Sequence, residues 1–281
     1  LFICSSELGK FIEYFFNNID SLLGSHLITS KAKGAALYEN CCFAAGEVFD
    51  SKRENISLER VVAIVDSILE YIYHDVSSAG DLFEIASVDG HQENHAINTM
   101  IYSLTLGLEL LPARRKDLLK LGVAGLLHDI GKSRIHPAIL MKRDTLTDSE
   151  IRTIRKHSAW SAEILLNNNL SEDIVAAVKN HHERWDGKGY PEGIREFEIP
   201  LFARIISVAD AFDSITSRNS YSDKRSTAEA MDSIVKEIGQ FDPELIQVFR
   251  GMMVDGSSNF AKKFGTNKET SGLFFSCQQP A

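Results

Sequence analysis

From Ser57 to Met253 the apolar residues recur at helical spacing, and nowhere do they alternate with polar ones for long enough to make a strand. This absence of period-two patterning is the tightest constraint on the chain, because a sheet-containing body of this length would need it somewhere. ISLERVVAIVDSILEYIYHD (56–75) shows the pattern most clearly, with apolar residues at 58, 61, 62, 65, 68, 69 and 72. Ser57 is placed to cap that helix, and Ile56 and Val61 to staple its entry. A further helix is expected over 32–49. TDSE (147–150) is a capping box, stapled by Leu146 and Ile151. Ser171 is placed to cap IVAAVKNHH. Pro200 opens LFARIISVADAFDSI, and Asp242-Pro243 opens ELIQVFRGMM. The expected body is an all-α helical bundle.

The N-terminal stretch reads differently. LFIC (1–4) suggests a short strand, and SELGKFIEYFFNNIDSLLG (6–24) an amphipathic helix, together the end of a preceding α/β module. The chain opens on Leu1, so a piece of a longer protein is expected. Residues 255–281, rich in Ser, Asn, Lys and Gly, read as a polar tail in which GLFF is a docking segment. The amphipathic faces of 32–49 and 57–74 suit a homodimer as well as packing within one chain.

Charge and cysteine usage narrow the functional classes. The net charge is −9, which argues against DNA and membrane surfaces as general partners. A small anionic substrate remains compatible where bound metals reverse the local field. The four cysteines include an adjacent pair, Cys41 and Cys42, and form no disulfide framework, which fits a cytoplasmic location. No apolar run reaches about 18 residues and no basic leader precedes one, so no membrane insertion is expected from this segment.

The nine histidines carry the chemistry. His26, His74 and His136 read as ordinary satisfied residues. His91 and His95 stand one helical turn apart and can face one point. His128-Asp129 ends an apolar helix, LLKLGVAGLLHD. His157 lies on the capped helix 148–166, and His181-His182 end the helix 172–182. Asp210 sits among Val208, Ala209, Ala211 and Phe212, where a bare carboxylate is costly and calls for a cation. Five or six imidazoles and two carboxylates, without cysteine, suit iron, manganese, zinc or nickel. They exceed what one ion needs, and two ions bridged by a carboxylate, with Asp129 the candidate bridge, are the natural arrangement.

Four separated motifs then give a resemblance. HDIGK (128–132) is the mark of the HD superfamily of metal-dependent phosphohydrolases. With HHERWDGKGYP (181–191), VADAFDSITS (208–217) and GQFDPELI (239–246), the chain resembles the HD-GYP family over about 85–253. The resemblance implies a helical fold with two or three divalent metals, iron or manganese. It also implies a phosphodiesterase that opens cyclic di-GMP to pGpG or onward to GMP in bacterial signalling. Carried over by position, the metal ligands are His95, His128, Asp129, His157, His181, His182 and Asp210. Lys132 stands beside the phosphate, either binding its non-bridging oxygens or helping protonate the leaving 3′ oxygen. Asp129 and Lys132 are thus the implied catalytic pair. Asp89 either touches the ligand or caps the His95 helix. Lys188 and Tyr190 stand at the mouth of the site, open to a ligand or to a partner such as a diguanylate cyclase. In the loop, Gly187 and Gly189 permit a sharp path, Trp185 braces it, and Pro191 fixes its exit. The implied division is 1–84 as regulatory remnant and linker helices, 85–254 as catalytic domain, and 255–281 as tail.

Two departures from the family pattern are legible. His91 replaces a Glu that holds a third metal in some members, and a binuclear centre is the expectation. In RNSYSD (218–223), Asn219 and Ser222 replace basic residues that reach the dinucleotide's phosphates, leaving Arg218, Lys224 and Arg225 nearby as substitutes. Each lost charge-assisted contact weakens binding by roughly 1.5–3 kcal/mol. That departure keeps two alternatives open: a slow or inactive cyclic-dinucleotide sensor, or a hydrolase for another cyclic dinucleotide.

Overall fold

The computed structural model describes residues 7–49, 56–74, 78–88, 94–111, 114–217, 227–237 and 239–254. Among these every regular element is helical, as the missing period-two alternation requires. The suggested strand at 1–4, the tail from 255, and Asp89, His91 and RNSYSD lie outside the described residues.

Helices α1 (Leu8–Asn17), α2 (Ile19–Gly24), α3 (Ser30–Val48), α4 (Leu58–His74) and α5 (Ser78–Val88) precede the HDIGK region. The single helix expected over 6–24 is broken. At Asn18 the backbone leaves helical geometry (φ −119°), and its side-chain amide donates to the Tyr14 carbonyl at 2.7 Å. An Asn that competes for backbone partners is a natural break point. Helix α3 begins two residues before the expected 32, because Thr29 caps it by accepting from Ala32 N–H. Both α3 and α4 bury one face within this chain, Leu37, Cys41 and Ala44 meeting Ile64, Ile68 and other core residues.

Helix α6 (His95–Leu110) runs through the centre, with every residue from Ile97 to Leu108 buried. It packs directly on both α7 (Arg115–Leu127) and α12 (Leu201–Ser217). A helix buried on all sides is a core helix, and the few polar residues it carries, Asn98 among them, are buried with it. Phe83 of α5, Tyr102 of α6, Phe212 of α12 and Phe249 of α14 (Pro243–Val254) form one aromatic cluster, with centroids 4.8–5.2 Å apart along the chain of contacts. This cluster fixes α12 against α6.

Between α7 and α12 lie a 3-10 turn (Ile130–Arg134), α8 (Pro137–Leu140), α9 (Asp148–Arg155), α10 (His157–Asn167) and α11 (Glu172–Asn180). α13 (Thr227–Lys236) precedes α14. The capping box forms as expected, with Thr147 and Glu150 bonded reciprocally. The helix expected over 148–166 is instead two, broken at Lys156, so that His157 starts α10. Ser171 has N-cap dihedrals (ψ 151°) but its side chain makes no capping bond. The helix expected to run to 182 stops at Asn180, leaving His181 as its C-cap.

The 3-10 turn after His128-Asp129 lies flat against α10, and Gly131 allows it. A Cβ there would stand 2.5 Å from Ser161 N and 2.8 Å from Ser161 Oγ, the hydroxyl that accepts from Gly131 N–H. Gly131→Ala is therefore expected to destabilise the protein by about 1–3 kcal/mol, because backbone and not a flexible side chain must yield. Thermal denaturation of the variant measures this, and an unchanged melting temperature would contradict the contact.

Candidate metal centre

Three histidines end up pointing inward for one local reason. The last carbonyls of a helix have no partner within it, and a ring N–H can supply one. His128 Nδ1 donates to Gly125 O at 2.8 Å, His157 to Ile154 O at 2.6 Å, and His181 to Val178 O at 2.6 Å. A carbonyl only accepts, so each Nδ1 carries the proton and each Nε2 is left as a lone-pair donor. His95 is different. Its Nδ1 bonds Asp213 Oδ2 at 2.6 Å, across from α12.

The Nε2 atoms converge on two carboxylates. His95 Nε2 is 3.2 Å and His128 Nε2 4.0 Å from Asp210 Oδ1. Asp129 spans two groups: its Oδ2 lies 3.3 Å from His128 Nε2 and 3.6 Å from His95 Nε2, while its Oδ1 lies 3.2 Å from His157 Nε2. His182 Nε2 stands 3.1 Å from His157 Nε2. The donors form two sets, His95, His128 and Asp210, and Asp129, His157, His181 and His182, each with ligand atoms within 4.8 Å of one another. All seven positions carried over by motif fall in these sets.

Divalent metals fit this chemistry on an observation independent of motif. The Nε2 atoms of His128 and His181 are buried and make no hydrogen bond. Buried nitrogens without partners are costly, and a cation between them removes the cost. His95, His128 and Asp210 would hold one metal, and His157, His181 and His182 a second, with Asp129 facing both.

The protonation pattern agrees. Burial, aided by the neighbouring imidazoles, pushes His181 well below the usual histidine value. Burial likewise lowers His182, to about 4. Both are neutral donors at pH 7. Burial also opposes charge on His95, but its bonds to Asp210 and Asp213 outweigh that and raise it to about 10. Burial alone would raise Asp129, yet His128 and Lys132 beside it hold the carboxylate well below its usual range. Asp210 is lowered in the same way, its bond to His95 outweighing burial.

Lys132 ion-pairs with Asp129 and is partly exposed, at the rim of the centre. Tyr190 stacks on His182, with ring centroids 4.9 Å apart, and the Arg155 guanidinium lies 5.3 Å from the Tyr190 ring centroid. Burial pushes the Tyr190 hydroxyl up, so it stays protonated. Lys188 is exposed and contacts Asp186 at 3.7 Å; no bond to the histidine cluster accompanies it. Trp185 packs edge-on against Phe197 at 5.1 Å.

The loop itself is held by a residue that the sequence did not single out. Glu183, buried, accepts from Glu192 N–H at 2.6 Å and from Gly193 N–H at 2.9 Å. Gly187 supplies a positive φ of 76°, whereas Gly189 supplies space: a Cβ would stand 2.7 Å from Glu183 C. The GQFDP segment closes the other side. Trp185 N–H donates to Gln240 O and Asp186 N–H to Gly239 O, while Arg184 reaches Gln240 Oε1 at 2.9 Å. Asp213 also went unnoticed, though it follows Asp210 by three residues and so shares its helical face.

With this geometry in hand, the family model described as "HD domain" matches residues 84–245. The chain belongs to the HD domain family. Its HHERWDGKGYP loop places it in the HD-GYP branch. It is 31% identical over 226 residues to the cyclic di-GMP phosphodiesterase PA4108 of Pseudomonas aeruginosa, covering 79% of this chain and 52% of that protein. It is 34% identical over 158 residues to 3′3′-cGAMP-specific phosphodiesterase 3 of Vibrio cholerae, covering 56% and 33%. The chain thus spans about half the length of the first and a third of the second. The fold is shared with Bd1817, an HDG"Y"P protein of Bdellovibrio bacteriovorus, at a TM-score of 0.70 and 20% identity over 89% of this chain and 81% of that one.

Two outcomes test the centre. Below about pH 10 metal-free His95 carries a proton that a metal must displace, so manganese affinity should rise about tenfold per pH unit between about pH 7 and 9. Chelator competition reads this, and a flat profile would contradict it. Glu183→Gln removes acceptor capacity from the loop's anchor and should lower stability by about 1–3 kcal/mol, measured by denaturant unfolding.

Proposed function

We propose that this chain is a metal-dependent phosphodiesterase that opens a cyclic dinucleotide, with cyclic di-GMP as its substrate and pGpG or GMP as product. The observation that carries the reading is Asp129, a buried carboxylate with one oxygen facing each of two imidazole groups. When bound, iron or manganese at such a pair of sites supplies Lewis acidity that lowers the pKa of water and neutralises phosphate charge. The protein's own part is positional. Asp129 and Asp210 keep the donor sets together, and Lys132, ion-paired with Asp129, brings a cation to the phosphate. Tyr190, stacked on His182, offers its ring edge to a base or ribose. Under the same reading residues 85–254 form the catalytic domain, 1–84 its regulatory attachment, and 255–281 a tail, in a cytoplasmic protein. No helix among the described residues is long and apolar enough to cross a membrane. In this binuclear reading His91 is a further imidazole beside the centre, open to a third metal or to a neighbouring polar group, Asp89 is a helix cap or ligand contact, and Arg218 is a replacement cation. The GYP loop is the proposed surface for a signalling partner.

A second reading has a specific support. Asn219 and Ser222 stand where basic residues are expected, and among the relatives are enzymes named as specific for 3′3′-cGAMP. The mixed dinucleotide is therefore the competing substrate. Iron- and manganese-loaded protein, kept anaerobic, should be offered cyclic di-GMP, 3′3′-cGAMP and cyclic di-AMP, with products resolved by chromatography. The expected result is cleavage of cyclic di-GMP in preference to the others. Binding without cleavage in single-turnover conditions would make the chain a sensor. Asp129→Ala is expected to abolish both metal loading and hydrolysis, and full hydrolysis by that variant would end the mechanism.

A further inference from the structure

One donor of the centre takes its orientation from outside its own helix. His95 Nδ1 bonds Asp213 Oδ2 at 2.6 Å; Asp213 Oδ1 accepts from Asn98 Nδ2 at 3.0 Å; Asn98 Oδ1 accepts from the Tyr38 hydroxyl at 2.7 Å. Tyr38, Asn98 and Asp213 are all buried, at 4%, 0% and 1% exposure, so water does not compete for these bonds. The direction of each bond is forced. A carboxylate can only accept, so the amide must turn its NH₂ to Asp213 and its oxygen to Tyr38, and the phenol must donate. Asn98 follows His95 by three residues on α6, and Asp213 follows Asp210 by three on α12, so both partners share a face with a ligand. Tyr38 comes from α3, which precedes the segment 84–245 matched by the HD domain.

The contrast with the other histidines gives the chain its meaning. His128, His157 and His181 are each fixed by a carbonyl three residues back, and form wherever their helix end forms. His95 is fixed by a tertiary bond whose last member belongs to α3. We propose that Tyr38 is a positioning residue for His95, so that the placement of α3 sets the metal affinity of the His95, His128 and Asp210 half of the centre. The N-terminal helices thereby act on metal loading of that half and not of the other. This rests on reading the cluster as a two-metal site.

The test uses the full chain and three proteins: wild type, Tyr38→Phe and Tyr71→Phe. Tyr71 is an equally buried tyrosine whose hydroxyl bonds Ser30 O at 2.8 Å, also on α3, with no connection to His95. Manganese is titrated against a chelator. Tyr38→Phe should weaken one of two manganese sites by about tenfold, the lower end of what loss of a ligand's own hydrogen-bond partner costs, and spare the other. Tyr71→Phe, which loosens α3 at Ser30 but keeps the Tyr38–Asn98–Asp213 bonds, should weaken the His95 half less than Tyr38→Phe does. Equal affinities in Tyr38→Phe and wild type would overturn the proposal, as would equal weakening of both sites. A second readout needs no metal. The ring N–H of ¹⁵N-labelled His95, bonded to Asp213, should give a downfield proton resonance that moves in Tyr38→Phe and moves less in Tyr71→Phe. An unmoved resonance in Tyr38→Phe would overturn the positioning role. Wild-type protein that binds no manganese would sink the two-metal reading alone, and the resonance would still decide the role of Tyr38.

Discussion

Everything around the centre follows from burying the Asp129 carboxylate. A carboxylate withdrawn from water loses several kcal/mol of solvation unless cations replace it. In the metal-free protein the raised His95 and the Lys132 ammonium do so. They are few, and the Nε2 atoms of His128 and His181 remain without partners. The arrangement is therefore one that a divalent cation stabilises twice, by neutralising the carboxylates and by satisfying the nitrogens. Ligand binding to the folded state alone adds stability by mass action, so loading and folding of this region are linked.

The inward histidines are an economical consequence of helix ends. Each helix leaves its last carbonyls unpaired. His128 at the end of α7, His181 at the end of α11 and His157 just past α9 each donate to such a carbonyl. One bond thus caps the helix and fixes the tautomer that a metal needs. This is why histidines placed at the ends of apolar helical runs were informative as sequence. The resemblance, carried over by position, implied which rings belong to the site, and the carbonyl three residues back shows which ring nitrogen carries the proton.

What was not legible shares a cause: it depends on partners distant in sequence. The bundle, the Thr147 capping box and the openings at Pro200 and Pro243 are local, and periodicity and capping residues reveal them. The break at Lys156 is not, since residues 148–166 carry no Gly or Pro to announce it. It is imposed where the chain turns to bring His157 against the Gly131 turn. Ser171 shows the converse, a residue of the right type at the right place whose side chain makes no cap bond. Nothing in the sequence distinguishes Glu183 from other acidic residues, and only its burial against Gly193 reveals an anchor. Tyr38 and Asn98 could not be paired from sequence at all, standing 60 residues apart.

That pairing bears on how an N-terminal input can reach the site. A flexible joint would separate the early helices from the later ones by an apolar seam. Instead a single buried cluster runs from Ile12 through Leu37, Ile68 and Met100 to Phe249. Packed interiors of this kind do not deform smoothly; they shift between discrete packings. A displacement of α3 must therefore either repack the core around α4, α5 and α6 or be absorbed at polar contacts within it. The Tyr38–Asn98 bond is such a contact, directional and short, and through Asp213 it leads to the His95 imidazole of the donor cluster. A small movement of α3 that the apolar core tolerates is one the hydrogen bond does not, which makes His95 the ligand most exposed to events in the N-terminal helices.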